Sequence, residues 1–216
     1  MIRPADLTLW LLTTFVEGFV VYLFLIQGLL RKFIFLNMYL LLSAVIGVVR
    51  YVMYSHIGFI REVYFSSEAL LMVFLLLSIC ELNLVLAGDR IHRRTMTLWS
   101  SGAFVIALLS SLPVLGSMGS GVAIRFLIEL SQQLFYVCCI AGVLLWVWKL
   151  GHDPAERIAA RLADVLAVYS SLFLIIYGAS QLVSRTASLD CLSQMSFAWL
   201  PLGCGFVIVS CRPQSH

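Results

Sequence analysis

The chain of 216 residues predicts an all-α integral membrane protein. The expected architecture is a single domain, residues 1–216, folded as a compact bundle of seven transmembrane helices. Three observations predict it. Hydrophobic residues make up 62% of the chain and charged residues 12%, against about half and about a quarter in soluble domains. Seven apolar runs follow one another, each near or above the roughly 20 residues that carry a helix across a bilayer. Only short loops separate them, and backbone polar groups in lipid are satisfied solely inside helices or closed barrels.

The runs cover approximately 7–30, 33–55, 62–87, 96–116, 122–149, 158–184 and 192–211. The first, Leu7 to Leu30, is too long for a signal-peptide core, carries Glu17 and has no small-residue cleavage site behind it, so it reads as a retained span. The third, fifth and sixth exceed the minimum and are expected to tilt or protrude. The fourth is diluted by Ser100, Ser101, Gly102, Ser110 and Ser111. Without it the chain would cross six times and its C-terminus would change sides. The seventh contains Pro201, which is expected to kink it. Short loops make consecutive helices antiparallel neighbours, with Ser43, Gly47, Gly142, Ser171 and Gly178 as the small residues expected at helix contacts. The third and fifth runs start alike, since I-R-x5-S-x2-L-x2-V occurs at Ile60–Val73 and again at Ile124–Val137.

Basic residues orient the bundle. One side holds Arg31, Lys32, Arg90, Arg93, Arg94, Lys149, Arg157, Arg161 and Arg212, and the other Arg3, Arg50, Arg61, Arg125 and Arg185. Cytoplasmic loops carry the excess of Lys and Arg. The N-terminus is therefore expected outside and the C-terminus in the cytoplasm, with the chain in the plasma membrane. Trp10, Tyr51, Tyr54 and Tyr64 fall near the outer interface and Trp99, Trp146 and Trp148 near the inner one, as aromatic belts do.

Ionisable residues inside a span are costly and usually face the bundle interior or water. Glu17 lies about ten residues into the first run, roughly 15 Å deep. Arg50 is near the outer end of the second run, Glu68 about two turns into the third, and Arg125 and Glu129 near the entrance of the fifth. Glu129, Gln132, Gln133 and Tyr136 share one helical face at i, i+3, i+4 and i+7. Gln181 enters the same outer half from the sixth run. These nine residues, with Thr13 and Thr14 beside Glu17, predict a polar cavity open to the outside. The simpler reading makes Arg50 with Glu68, and Arg125 with Glu129, charge pairs that hold neighbouring helices in register. Glu17 has no cation in its own run, which suits proton coupling or a satisfied hydrogen-bond donor. On the inner side, Glu81 falls within reach of the 89–94 loop, and Arg161 with Asp164 forms an i, i+3 pair at a helix start.

Several chemistries find no support. His56, His92, His152 and His216 fall in loops or the tail, away from any intramembrane haem or zinc site, and no histidine stands beside a buried serine. The loop GSMGSG lacks the Lys-Ser/Thr of a phosphate loop. The six cysteines contain no C-x-x-C pair and read as small buried hydrophobes. A formal charge of +3, tied to the ends of apolar runs, does not suggest nucleic-acid binding. No cofactor or metal is expected.

The chain resembles microbial rhodopsins in topology alone, since those attach retinal to a lysine in the last span and 192–211 has none. Asp89-Arg90 and Trp199-Leu200-Pro201 give a superficial similarity to G-protein-coupled receptors. That family places its Trp-x-Pro in the sixth span and carries Asn-Pro-x-x-Tyr in the seventh, which this chain lacks. Both similarities are coincidences.

The expected function is non-enzymatic: a ligand-sensing or binding module with a polar cavity in the outer half of the bundle. With no output domain, it needs a cytoplasmic or membrane signalling partner or a homo-oligomer, besides the lipid bilayer. The alternative is a small transporter coupled to protons or cations through its intramembrane carboxylates. An intramembrane enzyme ranks third, because no nucleophile–base pair is evident.

Overall fold

A computed structural model describes residues 4–53, 60–87, 93–112, 122–151, 156–182 and 187–210. Seven helices make up nearly all of the described residues: α1 (Pro4–Ile26), α2 (Ile34–Met53), α3 (Ile60–Ala87), α4 (Arg93–Ser111), α5 (Val122–Leu150), α6 (Arg157–Leu182) and α7 (Ala187–Ser210). Each falls on one of the seven apolar runs, because an unbroken apolar stretch without internal turn residues satisfies its backbone locally as a helix. One shortening is instructive. The first run continues to Leu30, yet α1 stops at Ile26 because Gly28 takes a left-handed backbone, φ +67°. The Leu29 amide donates to the Phe24 carbonyl and the Gly28 amide to Leu25, at 3.0 and 3.1 Å, closing a Schellman cap that only glycine enters without strain. At the other end of the chain, α7 runs through Pro201, which lacks the amide that would bond the preceding turn.

Among the described residues, three helices are long and apolar enough to cross a membrane, over Val63–Leu86, Val122–Leu150 and Arg157–Ile176. The other four carry shorter described apolar stretches, Leu11–Ile26, Ile34–Val49, Ser101–Ser111 and Trp199–Ser210.

Helices α1, α2, α3, α5, α6 and α7 form a closed ring, each packed on the next, with α7 returning to α1. Helix α4 stands outside the ring against α5, with a lighter contact to α3. Consecutive helices are therefore not always principal neighbours. The most extensive contact joins α3 to α5, which run parallel, and the Cys138 thiol donates to the Met72 carbonyl at 3.4 Å. The repeated motif lies on this parallel pair. Its two serines behave alike: Ser67 donates to the Tyr64 carbonyl and Ser131 to that of Ile128, both at 2.8 Å. Where α5 meets α6, a Cβ on Gly142 would sit 2.5 Å from Ser170 Oγ, so glycine is what lets these backbones approach. Ser170 is buried there while Ser171 is exposed.

One end of the ring is knitted by polar contacts among segments distant in sequence. Gln27 donates to the Ile208 carbonyl at 3.2 Å, joining the turn after α1 to α7. Lys32 pairs with Glu156 just before α6, and Lys149 of α5 bonds Asp164 and the Ala160 carbonyl of α6. Glu81 of α3 bonds the first amides of α2. These contacts place the ends of α1, α3, α5 and α7 beside the starts of α2 and α6, which is the alternation that short loops predict.

Candidate binding site at the centre of the bundle

Glu17 and Ser43 meet at the same depth. Glu17 lies nine residues before the end of α1, and Ser43 nine residues after the start of α2. At 1.5 Å per residue both are about 14 Å from that end of the bundle. Ser43 Oγ donates to Glu17 Oε1 at 2.7 Å, and Glu17 is 7% exposed. The ion pairs of the described residues lie at the polar end of the ring, away from this contact.

One turn along α2 from Ser43, at i−4, is Tyr39, which is buried. Its hydroxyl lies within electrostatic reach of Glu17 and of Glu68 from α3, and it faces the hydroxyl of Tyr169 from α6. Tyr169 is 1% exposed and also lies within electrostatic reach of Glu68. By distance and angle, Tyr169 Oη has no hydrogen-bond partner among the described residues. Behind Tyr169 stands an aromatic wall. The ring centroids of Tyr169 and Phe173 are 4.9 Å apart, and those of Phe173 and Phe135 5.1 Å apart at 76°. Edge-on packing of this kind holds a ring in one orientation. The thiols of Cys138 and Cys139 from α5 complete the surroundings of the two tyrosines.

No family model, curated protein or solved structure matches this chain.

Of the nine candidate residues, Glu17 lies in this cluster, and Glu68 from α3 is within electrostatic reach of its tyrosines. Arg125 is exposed, and among the described residues no ion pair joins it to Glu129. Glu129 instead accepts from Gln133 one turn on, at 3.0 Å. The polar face of α5 divides: Glu129, Gln133 and Tyr136 are half-buried, with the Tyr136 ring near Phe135, and Gln132 is exposed. The side chains of Arg50 and Gln181 lie outside the described residues.

Two inner-side residues have partners that the sequence did not suggest. Glu81 accepts from the first amides of α2, which have no partner within their own helix; residues 89–92 of the loop expected near it lie outside the described residues. Asp164 is taken by Lys149 of the neighbouring helix.

Tyr39 and Tyr169 carry the centre of the cluster and gave no signal in the sequence. Each is one aromatic residue in an apolar run, and only the packing of α2 and α6 brings them face to face. Ser43 stood out only as a small residue for helix contact. Among the described residues, no group of three or more His, Cys, Asp or Glu side chains converges to hold a metal ion. Chemically, the arrangement is a buried carboxyl held by a hydroxyl, with two buried phenols nearby and a second carboxyl within electrostatic reach of them. Such groups bind and exchange protons or small cations; they offer no activated nucleophile.

Proposed function

We propose that the chain is a multi-pass protein of the plasma membrane, crossing it seven times with the N-terminus outside, and that it is a sensing or binding module for a proton or small cation. An apolar outer surface supports membrane insertion: Phe15, Leu41, Ile106, Leu144, Ile175 and Phe206, one from each of six helices, are all exposed. A soluble monomer rarely exposes contiguous apolar surface on this scale. The single observation that carries the binding reading is the buried Glu17–Ser43 contact. In a core about 30 Å thick, a group about 14 Å from the end of the bundle sits near the midplane. A charged carboxyl at that depth is expensive, which favours its taking up a proton or a cation. Occupancy there would alter the contact between α1 and α2, and the polar end of the ring supplies the connection to α3, α6 and α7. A cytoplasmic or membrane partner, or a second copy, then reads the change.

A specific observation favours a second reading, proton- or cation-coupled transport. Glu68 is a second carboxylate, on a different helix, within electrostatic reach of the same Tyr39 hydroxyl.

Infrared difference spectra of the reconstituted protein, recorded across pH and across added cations, test the binding reading. It requires a carboxyl band in wild type that is missing in Glu17→Gln, and it fails if the two spectra are the same. Liposomes loaded with a pH-sensitive dye then separate the two readings. Flux lost in Glu17→Gln makes the protein a transporter, and binding without flux leaves a sensor.

A further inference from the structure

Over residues 157–176, the exposed and buried side chains of α6 fall on opposite sides of the helix. Arg157, Arg161, Val168, Ser171 and Ile175 are exposed, and the helical repeat places them within an arc of about 80°. Ala159, Leu162, Leu166, Tyr169 and Phe173 are buried on the other side, in the core of the ring. The outward face changes character along its length. Two arginines stand at its polar end, and beyond them Val168 and Ile175 are 42% and 68% exposed. From Arg161 to Ile175 the helix rises about 21 Å, more than one leaflet of a hydrocarbon core about 30 Å thick. The ion pairs at this end pass the arginines by. Lys149 takes Asp164, three residues beyond Arg161, and Lys32 takes Glu156. Among the described residues Arg157 and Arg161 have no ion pair, and as like charges one turn apart they repel each other.

We propose that Arg157 and Arg161 together bind the headgroup of one anionic phospholipid, whose acyl chains lie along the α6 face at Val168 and Ile175. The inference rests on the reading that this chain is inserted in a bilayer. The make-up of the face selects a lipid over a soluble anion or an acidic protein. Its cations continue into an apolar strip, as a phospholipid joins its phosphate to hydrocarbon, and the strip is long enough for one leaflet. Arginine suits the position, because its apolar stem lies against hydrocarbon while the guanidinium stays at the interface. Each guanidinium offers a fork of N–H donors that matches two phosphate oxygens. Two positive charges without acids of their own favour a headgroup of net negative charge over a zwitterionic one. A phosphate bound between them also removes the repulsion that the pair otherwise carries.

Native mass spectrometry of the full chain in neutral detergent tests the site, with phosphatidylglycerol, phosphatidylcholine or inorganic phosphate added in equal amounts. Wild type is compared with Arg157→Gln, Arg161→Gln and Arg31→Gln. Arg31 is exposed at the same end of the ring, next to Lys32, so its removal takes the same charge from outside the site. Wild type is expected to retain one phosphatidylglycerol in preference to phosphatidylcholine. Arg157→Gln and Arg161→Gln should each lower that retention about fivefold, the effect of one basic residue at an anionic surface. Arg31→Gln should keep the wild-type value. Equal retention of the two lipids overturns the inference, and so does a loss in Arg31→Gln as large as in the other two. Inorganic phosphate that displaces phosphatidylglycerol overturns the lipid assignment and leaves a free-anion site. Flotation with liposomes keeps the membrane reading separate. A chain that floats with vesicles of neither lipid refutes insertion itself, and one that floats without retaining phosphatidylglycerol removes only the headgroup site. Both arginines are exposed, so neither variant should disturb folding; should one do so, the other gives the same readout.

Discussion

Both carboxylate oxygens of Glu81, near the end of α3, accept from the backbone amide of Phe35, at 3.2 and 3.1 Å, and one of them also accepts from Leu36 at 3.2 Å. Helix α2 has no capping side chain of its own. Phe33 precedes it, and a residue 46 positions away supplies the acceptor for its free amides. A negative group there also meets the positive end of the helix dipole.

Glu81→Ala is therefore expected to cost about 0.5 to 2 kcal/mol, the usual range for a lost N-terminal cap. Hydrogen exchange in detergent micelles reads it locally: the Phe35 and Leu36 amides should exchange faster, while those in the middle of α5 keep their wild-type rates. Unchanged exchange at both amides would falsify the capping role.

The Glu17–Ser43 contact separates charge from hydrogen bonding. In Glu17→Gln the amide oxygen still accepts from Ser43, so stability should stay within about 1 kcal/mol of wild type. In Glu17→Ala the Ser43 hydroxyl loses its acceptor, and the loss should reach about 1 to 3 kcal/mol. Thermal unfolding in detergent checks the ranking, at roughly 2 to 4 °C per kcal/mol for a chain of this size. Equal melting temperatures for the two variants would contradict the geometry.

At Gly142 a methyl group would run into Ser170 Oγ, 2.5 Å from the new Cβ. Overpacking of this kind costs about 1 to 3 kcal/mol. Gly142→Ala should lower the melting temperature, and adding Ser170→Ala should recover most of the loss by removing the atom it meets. A double-mutant cycle with no coupling between the two positions would mean that α5 and α6 separate rather than clash.

The two ion pairs at the polar end should differ. Lys32 is well exposed, so removing its pair with Glu156 is expected to cost less than about 1 kcal/mol and to matter less as salt rises. Lys149 is the more buried cation and holds the Ala160 carbonyl as well as Asp164. Lys149→Ala should therefore destabilise more than Lys32→Ala when unfolding is followed by tryptophan fluorescence. The reverse order would show that the Lys149 contacts are weaker than their geometry implies.

Much of the fold was legible. Seven apolar runs became seven helices, since helix formation is decided by residues a turn apart. The end of α1 was misread because Gly28 looks unexceptional inside an apolar run until its backbone angle is known. The candidate site was legible only in part. Glu17 and Glu68 stand out wherever they fall, because a charge in an apolar run is conspicuous. The charge pair of Arg125 with Glu129, one of two readings, is not formed among the described residues, where Glu129 accepts from Gln133 one turn on.

Composition and spacing alone decide that this chain is helical, that it makes seven helices, and that successive ones reverse direction. These properties depend on local hydrogen bonding, apolar length and loop length. Packing decides the rest. It sets α4 outside the ring, brings α3 and α5 together as parallel neighbours, sends Glu81 to α2 and turns Tyr39 towards Tyr169. Each of these depends on which faces of distant helices fit together, and many faces of an apolar helix look alike in sequence. The shape that chooses among them, as at Gly142 and Ser170, exists only once the helices meet.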